Sequence, residues 1–169
     1  HTGASRTTGK VCLFPHTGRS EYRSFRIRSP EQMPVKLLDS MAPPADAAVL
    51  NGHSYKFFSE VLTWREAKAR CEEMGGHLAT IESDAENNLV ADLAENSIPN
   101  RNAMDGVWIG ATDEHKEGEW KWIDGSPLSF TKWGPGQPSN KQDAEHYLLL
   151  YLAKREWSDQ PLKSLQHMT

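Results

Sequence analysis

The sequence predicts an α+β domain, and three observations carry that prediction. Two capping boxes, Thr63-Trp-Arg-Glu66 and Ser83-Asp-Ala-Glu86, each open a stretch with apolar residues at helical spacing. After Pro99 the helical period gives way to short apolar runs, first Val107-Trp-Ile-Gly-Ala111. A long segment rich in Gly, Pro, Ser and Asn then fills residues 124–146. A loop of that length inside a compact domain is usually functional or disordered. Helices followed by strands give an α+β arrangement rather than alternating βαβ units.

In chain order, residues 1–50 read as a basic extension or linker, expected to be disordered. They carry a balance of +3, against −7 for residues 51–169, and all six Trp lie in the second part. The Arg-Ser pairs at Arg19, Arg23 and Arg28 have the composition of phosphate-touching segments. A charge excess this small is that of a solvated linker. Met41-Ala-Pro-Pro-Ala-Asp-Ala-Ala48 reads as a semi-rigid connector. The domain is therefore expected at 51–169. His53 to Phe58 reads as a strand. Thr63 caps a helix whose buried face is Trp64, Ala67, Cys71 and Met74, and Gly75-Gly76 stops it. Leu78 to Ile81 is a short extended piece. Ser83 caps a second helix, with Leu89 and Leu93 on its buried side and Asn96 to Pro99 ending it. Glu119 to Ile123 reads as a strand, followed by the turn Asp124-Gly125. Tyr147 to Leu152 pairs with Glu156-Trp-Ser158 as a hairpin.

Composition excludes several classes. A net charge of −4 argues against a nucleic-acid-binding protein. The longest apolar run, Tyr147 to Ala153, is far short of the roughly 20 residues that cross a bilayer. No signal-peptide pattern is visible. Cys12 and Cys71 have no zinc-type spacing. Cys12 lies in the segment expected to be disordered, so Cys71 is expected as a free, buried thiol on the first helix rather than bridged to Cys12. Glu117, Asp143, Glu145 and Asp159 offer carboxylates for a glycosidase pair, but no feature raises the pKa of one of them, and the chain is read as a non-enzyme.

Over residues 51–161 the motifs resemble the C-type lectin-like domain family, as a disulfide-poor member. The carriers are Thr63-Trp64, Cys71, Gly76-His-Leu-Ala-Thr-Ile81, Val107-Trp-Ile-Gly110, Trp133-Gly-Pro-Gly-Gln-Pro-Ser139 and Trp157-Ser158-Asp159, in that order. The resemblance implies two helices, short antiparallel sheets and a long ligand-binding loop. It implies a cis Pro138, and a secreted or cell-surface location. It also implies a cysteine in a last strand bonded to Cys71. The chain ends ten residues after Asp159, so Lys163 to Met168 is an abbreviated last strand or that strand is missing.

By the same resemblance, Gln137, Ser139, Glu145, Ser158 and Asp159 stand at the ligand positions of a calcium ion that binds neighbouring sugar hydroxyls. Asp113, Glu117 and Asn140 match a second, auxiliary metal site, with His146 where an acid is expected. The chemistry agrees independently: calcium takes six to eight oxygens, and this window offers oxygen throughout with no competing thiolate. Ser139 and Ser158 replace longer side chains, so the calcium affinity expected is weak, about 10⁻³ M. The implied ligands are glycans or glycoproteins with a galactose-type preference. The alternative is a calcium-independent domain that binds protein.

Overall fold

A computed structural model describes residues 8–14, 44–98 and 105–162. Its first helix, α1 (Trp64–Glu73), starts where Thr63 predicts. The Thr63 hydroxyl accepts the Glu66 N–H, and the Glu66 carboxylate accepts the Thr63 N–H at 2.8 Å, so two orphan donors of the first turn are satisfied. Trp64, Ala67 and Cys71 form its buried stripe. Gly75 ends it at φ 80°, a conformation glycine adopts without a Cβ penalty. The second helix, α2 (Asp84–Ser97), is capped by Ser83. Its buried face differs from expectation. Val90, Ala91 and Ala94 are fully covered, while Leu89 and Leu93 only flank the core. Small residues let α2 lie close to the sheet, and the leucines cover the margins.

The strands are β1 (Thr8–Phe14), β2 (Ala48–Leu50), β3 (His53–Phe58), β4 (His77–Leu78), β5 (Gly106–Thr112), β6 (Lys121–Trp122), β7 (Glu145–Tyr151) and β8 (Glu156–Pro161). They run in the order β2-β3-β1-β5-β7-β8, with β4 joined to β1 and β6 to β5. Every ladder is antiparallel except β1–β5. The strand expected over 119–123 shortens to β6. Buried Val107, Trp108, Ile109 and Ala111 make β5 apolar on both faces, as a central strand covered on both sides must be. Gly110 is needed here: a Cβ on it would sit 2.7 Å from the Leu78 carbonyl oxygen.

Two expectations about the first 50 residues are corrected. Thr8–Phe14 and Ala48–Leu50 are strands of the sheet, so the folded unit does not begin at Asn51. Seven residues of β1 pair with β3, β4 and β5, which outweighs the low hydrophobicity around them. Cys71 is not free either. It is bonded to Cys12, with Cα atoms 5.6 Å apart, and both residues are fully buried. The semi-rigid connector ends in a turn, the Ala47 N–H donating to the Pro44 carbonyl, before Ala48 opens β2. The rest of residues 1–50, and the proposed last strand at 163–168, lie outside the described residues.

The core has two parts. One lies between α2 and the sheet and contains Val11, Ile81, Val90, Ile109, Leu148, Leu150 and Trp157. The other lies under α1 around Cys12, Trp64, Cys71, Trp108 and Leu149. Indole N–H groups anchor them: Trp64 donates to the Ile109 carbonyl at 2.8 Å and Trp108 to the Leu62 carbonyl at 2.9 Å. Both bonds tie α1 and the chain entering it to β5. The β7–β8 turn is tied to α2. Arg155 contacts Asn88, Asp92 and Glu95 there, and its carbonyl accepts from Asn87 Nδ2 at 3.0 Å. No helix among the described residues is long and apolar enough to cross a membrane.

Candidate functional site

The long loop is held against the sheet by tryptophan. Trp157 is fully buried, and its indole N–H donates to Asn87 Oδ1 at 2.7 Å. Phe130, Trp133 and Trp122 meet it edge-on, with ring centroids 5.7, 6.1 and 5.8 Å away. The backbone closes the same contact: Gly134 donates to the Trp157 carbonyl and Trp157 to the Lys132 carbonyl. The Trp157 ring is therefore core and offers no exposed face for a ligand to stack on. Trp133 is half-buried and packs on Trp120 at 5.1 Å.

This packing carries the chain to Gln137-Pro138, whose peptide bond is cis, as the resemblance implies. Beyond it, Asn140, Gln142 and Asp143 all have positive φ, so the chain turns tightly over 140–143. The turn wraps two carboxylates. Asp159, fully buried on β8, accepts the backbone N–H of Ser139 at 2.9 Å and of Asn140 at 2.5 Å. Glu145, at the start of β7, accepts the Ser139 hydroxyl at 2.7 Å and the Lys141 N–H at 2.8 Å. Ser139, Glu145 and Asp159 thus form one hydrogen-bonded group drawn from the loop and two strands. Ser158 is buried beside it, but its hydroxyl donates to the Asp159 carbonyl and accepts from Gln160.

Two oxygens in this loop have no such partner. Gln137 Oε1 and Asn140 Oδ1 are buried and accept no hydrogen bond among the described residues. A buried acceptor without a donor costs about 1–3 kcal/mol unless something else satisfies it. Gln137 also lines a cleft of about 280 Å³ with Gly134, Pro135, Tyr151, Trp157 and Ser158. An all-oxygen donor set with two unsatisfied amide oxygens fits a hard divalent cation.

A second cluster lies at the turn after β5. Asp113 is buried, and its Oδ2 accepts the Gly118 N–H at 2.8 Å. Its Oδ1 lies 3.1 Å from His146 Nδ1, and Glu117 Oε2 lies 3.4 Å from the same nitrogen. The three groups offer ligand atoms within 4.8 Å of one another. Asp113 and Glu117 come together here as the resemblance implies, with His146 between the two carboxylates, while the Asn140 N–H is bonded to Asp159 in the first cluster. The Glu117 carboxyl is pushed above its ordinary value, first by desolvation and then by the charge of Asp113, with Asp159 and Asp143 adding to it and His146 opposing. The two clusters therefore share one negative field. On the other side of the turn, Glu114 takes the Arg65 guanidinium and the Tyr147 hydroxyl, each at 2.8 Å.

Comparison with known proteins agrees with this architecture. The Lectin C-type domain pattern matches residues 60–167. A C-type lectin of Micrurus corallinus is 37% identical over 126 residues, covering 72% of this chain and 78% of that protein. The solved C-type lectin CEL-I from Cucumaria echinata superposes with a TM-score of 0.64 at 30% identity, over 70% of this chain and 89% of its own. A calcium-independent type II antifreeze protein superposes with a TM-score of 0.57 at 28% identity, over 72% of this chain and 86% of its own.

Proposed function

Because the chain belongs to the family of C-type lectin domains, we propose that it is a carbohydrate-binding module that recognises sugar hydroxyls through a calcium ion held by the 137–145 loop and β8. The observation that carries this is the buried Gln137 Oε1, which has no hydrogen-bond partner among the described residues, in the loop that wraps the Glu145 and Asp159 carboxylates. Gln137, Glu145 and Asp159 would hold the ion, with Ser139 and Ser158 at its margin. The ion supplies a Lewis-acidic focus for two adjacent hydroxyls. The carboxylates accept hydrogen bonds from those same hydroxyls, a charge-assisted arrangement. With two carboxylates in the set, the calcium affinity is in the millimolar class of extracellular modules. Gln137 ahead of the proline resembles galactose-preferring members, and galactose is the first sugar to test. Asp113, Glu117 and Asn140 are the place for a second ion. His146 between the carboxylates supplies a nitrogen in place of an oxygen and weakens calcium there. An extracellular or cell-surface location follows from the same reading, as do glycans or glycoproteins as partners.

The test is a thermal melt of the full chain with millimolar calcium, paired with retention on galactose and mannose resins and elution by chelator. Wild type is expected to melt higher with calcium and to elute with chelator, and Glu145→Ala to lose both properties. No shift and no retention refute it. One observation favours a second reading, a calcium-independent domain that binds protein. Glu145 and Asp159 already accept four hydrogen bonds from the loop that would otherwise leave them open to an ion. A partner that stays bound in chelator supports this second reading.

A further inference from the structure

The strand at the centre of this sheet is the first element in chain order among the described residues. β1 lies between β3 and β5, antiparallel to β3 over Lys10–Phe14 and parallel to β5 over Thr8–Lys10. It also pairs with β4 at Cys12 and Leu13, and the Val11 carbonyl accepts the Ala79 N–H. Val11 and Cys12 are fully buried, one in each part of the core. Without β1, the facing edges of β3 and β5 lose their partners, and an open sheet edge is a template for another strand. The stretch matched by the family pattern begins at residue 60, so the strand that completes the sheet lies outside it.

The link between β1 and the rest is long. The 33 residues 15–47 separate Phe14 from Ala48, and they span up to about 110 Å when extended. By contrast, Phe14 and Val49 both sit opposite Ser54, on the two sides of β3. The register and the Cys12–Cys71 bond are therefore set by the slot, not by the connection. A slot of this kind does not discriminate between β1 of its own chain and β1 of another copy.

We infer that the groove between β3 and β5 is a strand-addition site whose occupant is exchangeable. Two copies of this chain can trade β1 and be fixed as a covalent pair by Cys12 of one and Cys71 of the other. Exchange of one identical element between copies adds no new interface chemistry, which is why it is an accessible route to assembly. Own-chain occupancy is favoured by an effective concentration in the millimolar range. Exchange accordingly grows with protein concentration. The covalent step needs no unusual reagent. Two thiols and one oxidised glutathione give the protein disulfide and two reduced glutathiones, whether the thiols share a chain or not.

The test uses the unaltered protein. Equal amounts of ¹⁵N-labelled and unlabelled chain are reduced and unfolded together, then refolded in a glutathione buffer at a series of concentrations reaching about 1 mM. The soluble folded fraction is digested without reduction, and the Cys12–Cys71 peptide pair is weighed. Pairs with one heavy and one light half are expected to make up about half of all pairs in the dimer fraction, and that fraction to grow with concentration. Only heavy–heavy and light–light pairs at the highest concentration overturn the inference. In a second arm, Cys12→Ser and Cys71→Ser chains are mixed and refolded in the same way. The single possible Cys12–Cys71 bond now joins two copies. A soluble mixed-disulfide dimer supports exchange, and none, with both variants folded, counts against it.

Discussion

Removing the Cys12–Cys71 bond tests how much of the sheet depends on β1. The bond closes a loop with a sequence separation of 59. In the chain-entropy account, a cross-link of that span stabilises by about 4 kcal/mol at 25 °C. Both cysteines are fully buried, so replacement with alanine adds a small cavity loss of the same sign. The double variant Cys12→Ala/Cys71→Ala is the right perturbation, because it leaves no lone thiol. With about 2 kcal/mol per molar urea, the midpoint should fall by about 2 M. The melting temperature should fall by about 12 °C, at about 3 °C per kcal/mol for a chain of this size. Urea unfolding followed by tryptophan fluorescence reads the change, since all six Trp lie between residues 64 and 157. A loss below about 1 kcal/mol would refute the reasoning, because the unfolded chain would then gain little freedom when the bond is absent.

Other outcomes follow from single residues. Gly110→Ala should cost about 3 kcal/mol, because the new methyl meets the Leu78 carbonyl and backbone cannot swing aside; denaturant titration checks it. Asn87→Ala should cost a similar amount, about 3 kcal/mol, by orphaning the Trp157 indole N–H and the Arg155 carbonyl. The same variant should weaken sugar retention, because Trp157 precedes Ser158 and Asp159. Glu114 titrates below its ordinary value of 4.5: burial raises it, but hydrogen bonds from Arg65 and Tyr147 outweigh burial. A depressed acid stabilises the fold above its unfolded-state pKa and loses that contribution as pH falls through the folded-state value. The stability gap between wild type and Glu114→Gln should therefore be steady near neutral pH and close on acidification below about 4.

The sequence shows best what local chemistry dictates. Thr63 and Ser83 mark both helix starts to the residue, because a cap is a contact between positions three apart. Val107-Trp-Ile-Gly110 reads as a buried strand because every side chain in it is apolar or absent. The place of Thr8–Phe14 was not legible. Lys10 pairs with Trp108, nearly a hundred residues away, and nothing local in seven residues announces a partner that distant. The disulfide was missed for the same reason, since it depends on β1 being ordered. The spacing of Leu89 and Leu93 points to that face of α2 as buried, whereas close packing on the sheet selects Val90, Ala91 and Ala94. In the loop, oxygen chemistry was legible from residue type. Which oxygens lack a donor was not, because that depends on how residues 140–143 turn.

The Arg155 contacts have a mechanical consequence. The β7–β8 hairpin is moored at its tip to a fourteen-residue helix, by a guanidinium that reaches three of its side chains and a carbonyl that takes a fourth. The arm bearing Asp159 then behaves as an anvil. In the proposed calcium-bound state, rearrangement would fall to the loop between Gly136 and Glu145, where Asn140, Gln142 and Asp143 have positive φ, rather than to the hairpin.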